Sequence, residues 1–415
     1  MASPEGLSGR EFRSLAFGEG LSVVGDQLAK VALSVMVYQR TGSAAWSAVT
    51  YALTLIPPLV TGPLLSPLAD IRPRRGFMAT VCFMQMSLVA LMVVPDLPMW
   101  LLAGAVAAVA GLAAPFKAAQ AAIVRNVLGD DFNKAGRVRL SMIREVGQLA
   151  GLAGGAAVVA MVGISTALLM DAASFAVAGL LLRFGLRARP AAGSSRVRPA
   201  DVPRSLWGLL ANDRIRLLVW FALLVGLTAV PDAVAMPLVA ESGSPAWVTG
   251  ALLGADCVGL IAASWWVQRQ SETRQRGLIA PLAVLSLAPL LGFALAPQPQ
   301  WMVLLLVMSG LGAAYLGLAA GEFGQLVPDE LAAAANGVMG AAVRGTQGAV
   351  VLVSGVAADW IGSAMTVVAV SGLLGLALVA YPALRWHRAC RSADNRVGMG
   401  TDRGGESSSR PADVG

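Results

Sequence analysis

Asp26 and Lys30 stand four residues apart within Phe12–Tyr38, a stretch otherwise rich in apolar residues. On a helix turning about 100° per residue, Asp26 and Lys30 fall about 20° to either side of Glu19, so the three make one polar stripe. Asp26 lies about 21 Å along the axis from Phe12, near the middle of a bilayer-sized helix. A carboxylate balanced between burial and a nearby cation can exchange a proton, which makes Asp26 the candidate proton carrier. Lys30, at ion-pair spacing, would modulate it and Glu19 would assist; a buried pair that only fixes helix packing is the competing reading. Asp232 and Asp256 also sit in apolar stretches, where either suits a cationic substrate, a proton or a structural pair. Glu322 stands near the end of another such stretch and serves either a substrate cavity or the membrane interface.

The composition decides what must hold these groups in place. Of 415 residues, 56% are hydrophobic and 13% are charged, against about 25% charged in ordinary soluble domains. Fifty-five charges are too few to cover a soluble surface of this length, so lipid must be the solvent for much of the chain. The net charge of +7 resides in short loops between apolar spans, which reads as membrane anchoring and not as nucleic-acid binding. Cys82, Cys257 and Cys390 have no metal-like spacing, and the single histidine, His387, stands among arginines. The sequence contains no Ser/His/Asp set, cofactor fingerprint or Walker glycine pattern. The expectation is no enzyme, no metal, no cofactor, and a proton gradient as the energy source.

About twelve stretches approach the length of a spanning helix, near Phe12–Tyr38, Trp46–Ala69, Phe77–Val94, Met99–Phe116, Val138–Val162 and Ile164–Leu182, then Leu217–Leu238, Trp247–Val267, Leu278–Leu295, Trp301–Gly321, Asn336–Ala358 and Ala364–Leu384. Lys and Arg cluster in alternate connections, which places both termini in the cytoplasm. The divisions are a first bundle at 1–186, a Pro/Gly/Ser-rich cytoplasmic linker at 187–212, a second bundle at 213–386 and a disordered cytoplasmic tail at 387–415. The halves repeat at an offset of about 200 residues, as in transporters. Val127-Leu128-Gly129-Asp130-Asp131 answers Leu326-Val327-Pro328-Asp329-Glu330, Arg144 answers Arg344, Gly155 answers Gly355, and Val162-Gly163 answers Ile361-Gly362.

After the second span comes Gly62-Pro63-Leu64-Leu65-Ser66-Pro67-Leu68-Ala69-Asp70-Ile71-Arg72-Pro73-Arg74-Arg75. This resembles the Gly-x-Leu-Ala-Asp-Arg-x-Gly-Arg-Arg signature of the major facilitator superfamily, with Ser66, Ile71 and Pro73 departing from it. The resemblance covers essentially the whole chain. It implies an all-α membrane protein of twelve transmembrane helices in two pseudo-symmetric six-helix bundles. A carboxylate at a helix C-terminus needs cations nearby, so Asp70, Arg74 and Arg75 are candidate gating residues. Gly25-Asp26, Val37-Tyr38-Gln39-Arg40-Thr41-Gly42-Ser43 and Asp171-Ala172-Ala173-Ser174-Phe175 look like the drug and siderophore exporters of that superfamily. So does Gly147, Gly151 and Gly155 at four-residue spacing, a pattern that lets helices approach closely. Leu152 stands where the exporter motif has its proline. The resemblance also implies that the first, fourth, seventh and tenth helices line a central cavity, and that Arg144, Glu145 and Arg344 form gate pairs between the bundles.

The reading is a secondary transporter that exports a hydrophobic or amphiphilic small molecule, such as a drug, antibiotic or siderophore-like metabolite, by proton antiport. Its partners would be the bilayer, the substrate and protons. It would act as a monomer in a bacterial plasma membrane. Import of a small metabolite by proton symport, or a transport-inactive scaffold or sensor on the same fold, are the alternatives.

Overall fold

The computed structural model describes residues 7–65, 73–187, 208–245, 247–295 and 298–404. Lipid offers backbone groups no hydrogen-bond partner, so a spanning segment must satisfy its own. Among the described residues all regular structure is accordingly helical, and eleven stretches are long and apolar enough to cross a membrane.

The first half comprises α1 (Leu7–Thr41), α2 (Ala44–Leu55) continued by α3 (Pro57–Leu65), α4 (Arg74–Met92), α5 (Met99–Val162) and α6 (Ile164–Gly185). Helix α5 is a continuous run of 64 residues. Drawn straight, it would place Gln120 and Arg144 about 36 Å apart, yet both bond the same carboxylate, Glu19. The run therefore doubles back between them. Its first limb, Met99–Gln120, is one of the eleven stretches. Its second limb holds the fifth expected span, Val138–Val162, which packs against α1.

In the second half the seventh span is broken into α7 (Asp213–Leu223), α8 (Val225–Thr228), α9 (Val230–Ala233) and α10 (Ala235–Glu241), with Pro231 and Pro237 inside it. There follow α11 (Val248–Val267), α12 (Glu272–Leu287) ending in a 3-10 turn over Ala288–Leu295, α13 (Pro299–Ala313), α14 (Tyr315–Leu326), α15 (Asp329–Ile361) and α16 (Ala364–Gly404). Helix α16 corrects one expectation. The tail expected to be disordered from 387 continues as helix to Gly404. Most of the expected linker lies outside the described residues.

Each half has its own core. Leu15, Met78, Ile123 and Leu182 fill the first half near the arginine-rich face, and Leu28, Val89, Leu102 and Phe175 fill it farther along. In the second half Phe221, Leu252, Ile279, Phe293 and Tyr315 belong to one buried cluster, and the Tyr315 hydroxyl donates to the Phe221 carbonyl at 3.0 Å. Gly163 and Gly362, matched in the sequence repeat, both take a positive φ at the turn into the last helix of their half (83° and 77°). Trp46, Trp100, Trp247 and Trp301 stand exposed at the starts of spans on the face opposite the arginines, where an aromatic belt belongs.

The halves meet along α2 against α15 and along α5 against α11. Small residues allow this contact. A methyl added to Gly355 would lie 2.2 Å from Ala48 Cβ, and Ala48, Ala52, Ala229, Ala233 and Val351 form one buried cluster across the junction. Asp359 closes the outer end: its carboxylate accepts from Ala44 N at 2.7 Å, Ala45 N at 3.1 Å and Ser43 Oγ at 2.5 Å. An acid from one half thus caps a helix of the other.

Asp359→Asn is expected to loosen this seal, raising the population open at that face by roughly tenfold. Spin labels at positions 46 and 360 in a cysteine-free background would report it as a longer distance. An unchanged distance distribution would mean that the seal does not depend on Asp359.

Candidate functional site: a membrane-embedded cavity

Toward the arginine-rich face α2–α3 and α15 diverge. Methyls added to Gly345 and Gly348 would touch Leu59 and Ile56, whereas one added to Gly337 meets nothing within 4 Å. A cavity of about 750 Å³ occupies this gap, between Pro58, Leu59 and Gly62 on one side and Gly337, Val338 and Ala341 on the other. It extends inward along α1, where it is lined by Asp26, Gln27, Lys30 and Leu33. Its inner end, near Val89, Met92 and Val106, is apolar.

The three residues of the α1 stripe have different surroundings. Glu19 is buried, and its two oxygens accept from Arg144 Nε at 3.0 Å and Gln120 Nε2 at 2.8 Å. Each limb of α5 is thereby pinned to α1. Gly147, Gly151 and Gly155 continue that contact: methyls on them would fall 3.3 Å from the Gly20 carbonyl, 2.7 Å from Gln27 Cβ and 3.2 Å from Val31 Cγ2. Asp26 faces the cavity without a contact ion pair among the described residues. The Lys30 ammonium donates instead to Gln27 Oε1 at 3.2 Å, although its charge still acts on Asp26 and on Asp232 of the other half. The expected Asp26–Lys30 bridge does not form because Gln27, one residue nearer along the helix, takes the ammonium.

Asp171 is a cavity residue that the sequence shows only as part of a motif. It lies on α6, lines the cavity at 1% exposure and accepts weakly from Ser174 Oγ at 3.3 Å. Gly25 is its counterpart on α1, since a methyl there would come within 2.5 Å of Asp171 Oδ1. Asp26 and Asp171 are thus neighbouring carboxylates from two helices. The available signal was a carboxylate in the middle of the apolar stretch Ile164–Leu182, read there only as part of a motif.

Several expected placements are corrected. Asp232, Asp256 and Glu322 do not line this cavity. Asp232 lies near Tyr51 of α2 across the junction, with Asp256 also nearby, because the broken seventh span turns it toward the first half. Glu322 is buried and accepts from Arg276 Nε at 2.7 Å, an ion pair between α12 and α14. Arg144 binds Glu19 of its own half and makes no ion pair with the other half among the described residues. Arg75 Nη1 donates to the Leu186 carbonyl at 3.1 Å, again within the first half. Arg74 is buried. Arg344 lines the cavity without an ion pair among the described residues. Asp70 and the Glu145 side chain lie outside what the structure describes. Among the described residues no group of three His, Cys, Asp or Glu could hold a metal ion.

The sequence profile of the Major Facilitator Superfamily matches residues 15–340. Solved structures of similar fold include a point mutant of the nucleoside transporter NupG, with a TM-score of 0.71 and 14% identity over 92% of this chain and 99% of that one. A bacterial homologue of the human lysosomal transporter Spinster, inward-facing and unoccupied, gives 0.69 and 12% over 94% and 98%. A bacterial homologue of the iron transporter ferroportin, inward-facing, gives 0.65 and 14% over 90% and 98%. No curated protein matches the chain by sequence. The chain belongs to the Major Facilitator Superfamily and is a multi-pass membrane transporter of that type.

Glu19→Gln leaves Arg144 without its anion and should cost about 1–2 kcal/mol, less than for a fully buried pair because Arg144 is one-third exposed. Thermal unfolding of Glu19→Gln, Arg144→Gln and the double variant measures the coupling. Additive losses would show that the pair does not hold α1 to α5.

Proposed function

We propose that this transporter exports a hydrophobic or amphiphilic small molecule in exchange for protons, alternating between states open to either face. A siderophore- or drug-exporter role follows from the motifs in α1, α5 and α6. The observation that carries the reading is the cavity: apolar at its closed end, open at one face, and bearing Asp26 at membrane depth. On the positive-inside rule its open face is cytoplasmic, which puts both termini inside the cell and gives the cargo access from the cell interior. The chain would act as a monomer in a bacterial plasma membrane, without a cofactor.

Ionisable groups at membrane depth are costly unless they face water, a partner or a cargo. Asp26 faces the cavity, so water can deliver or remove its proton there, while the closed end bars exchange with the far side. Rocking of the halves about the Ala48–Gly355 junction would reverse that access. Lys30 lies one turn from Asp26 on α1, and its charge acts on acids in both halves. Glu19 is held by two donors and serves the packing of α1 more than the proton path.

Purified protein in vesicles with an internal pH-sensitive dye tests this against a panel of lipophilic drugs. A drug gradient should drive protons the opposite way, and Asp26→Asn should reduce that flux to the level of empty vesicles while drug binding persists. Proton movement in the same direction as the drug would make the protein a symporter. Full flux in Asp26→Asn would remove Asp26 from the proton path.

A further inference from the structure

We infer that the cargo is an amphiphile with an acidic head group, a deepening that rests on the transporter reading above. The cavity is lined by four cations, Lys30, Lys117, Arg144 and Arg344, and by two carboxylates, Asp26 and Asp171. Counting Glu19, which sits behind Arg144, still leaves an excess of positive charge. The cations are not equivalent. Arg144 is neutralised by Glu19, and Lys30 lies among Gln27, Asp26 and Asp232. Lys117 and Arg344 make no hydrogen bond or ion pair with any described residue, although the charges of Glu19 and Asp26 act on Lys117 at longer range, and both are exposed to the cavity.

Those two come from opposite halves, Lys117 from the first limb of α5 and Arg344 from α15. Two cations without a contact partner, facing one membrane-embedded space, are unfavourable alone and become favourable when an anion enters that space. A carboxylate, sulfonate or phosphate would supply it, and arginine and lysine both suit such oxygens. Their depth fixes the orientation. Lys117 lies at the end of its limb near the arginine-rich face, whereas the apolar lining of Val89, Met92 and Val106 is at the other end. The acidic head would sit toward the mouth with the apolar body inward. The head could belong to a free organic anion or to an anionic lipid, since both offer the same chemistry.

The test compares two xanthene dyes of similar size and opposite charge, fluorescein and rhodamine 6G, on the full chain in phosphatidylcholine vesicles. Fluorescein should bind at least about tenfold tighter than rhodamine 6G. Lys117→Gln with Arg344→Gln should abolish that preference, and Lys117→Arg with Arg344→Lys should keep it, which excludes simple misfolding. A purely gating role would slow transport of both dyes alike and leave the binding preference intact. Added phosphatidylglycerol that displaces fluorescein would assign the acidic head to a lipid, and failure to displace it would assign it to a free anion. Equal or tighter rhodamine binding, no binding of fluorescein, or a preference that survives the double glutamine variant would overturn the inference. Rhodamine-driven proton flux in that case would leave the transporter reading standing, whereas anion-selective binding without flux from either dye would sink that reading alone.

Discussion

A charge at membrane depth must find a partner, water or a ligand, and the rest of this structure follows from how each charge meets that condition. Glu19 finds Arg144 and Gln120, and in doing so fastens both limbs of α5 to α1. Glu322 finds Arg276 and ties α12 to α14. Asp232 stands near Tyr51 of the opposite half. The groups left facing the cavity, Asp26, Lys117 and Arg344 among them, are those whose charge remains available for a proton or a cargo. Paired charges build the scaffold and exposed ones mark the working space.

The junction between the halves obeys a second constraint of lipid, that apolar helices gain little from hydrophobic burial against one another. Close approach of small residues and shared hydrogen bonds must hold them instead. The alanine cluster around Ala48 and Val351 provides the first, and Asp359 capping the α2 N-terminus provides the second. Both act toward the face opposite the arginines. Beyond Gly345 toward the arginine-rich face the helices part, so closure at one face and opening at the other are two consequences of one uneven seam.

Much of the scaffold was legible in the residues. Hydropathy located the spans, the arginine clusters ordered their ends, and the matched turns at Gly163 and Gly362 exposed the repeat because backbone needs recur when a structure is duplicated. Gly147, Gly151 and Gly155 announced a close helix contact, since only the absence of a side chain permits one. The site was less legible. Helical spacing put Asp26 and Lys30 together, but a local pattern cannot show that Gln27 captures the lysine. Nor can it show that Asp171 sits against Gly25, a contact made by residues nearly 150 positions apart.

By itself, then, the sequence determined that the chain is a bundle of membrane helices, where its chemistry-bearing groups stand along those helices, and which superfamily it joins. These are matters of composition and short-range periodicity, which lipid enforces on each segment separately. The tertiary structure alone decided which charges are neutralised and which face the cavity. That is a question of partners. A carboxylate such as Glu19 reads the same on a helix whether or not an arginine from 125 residues away has reached it.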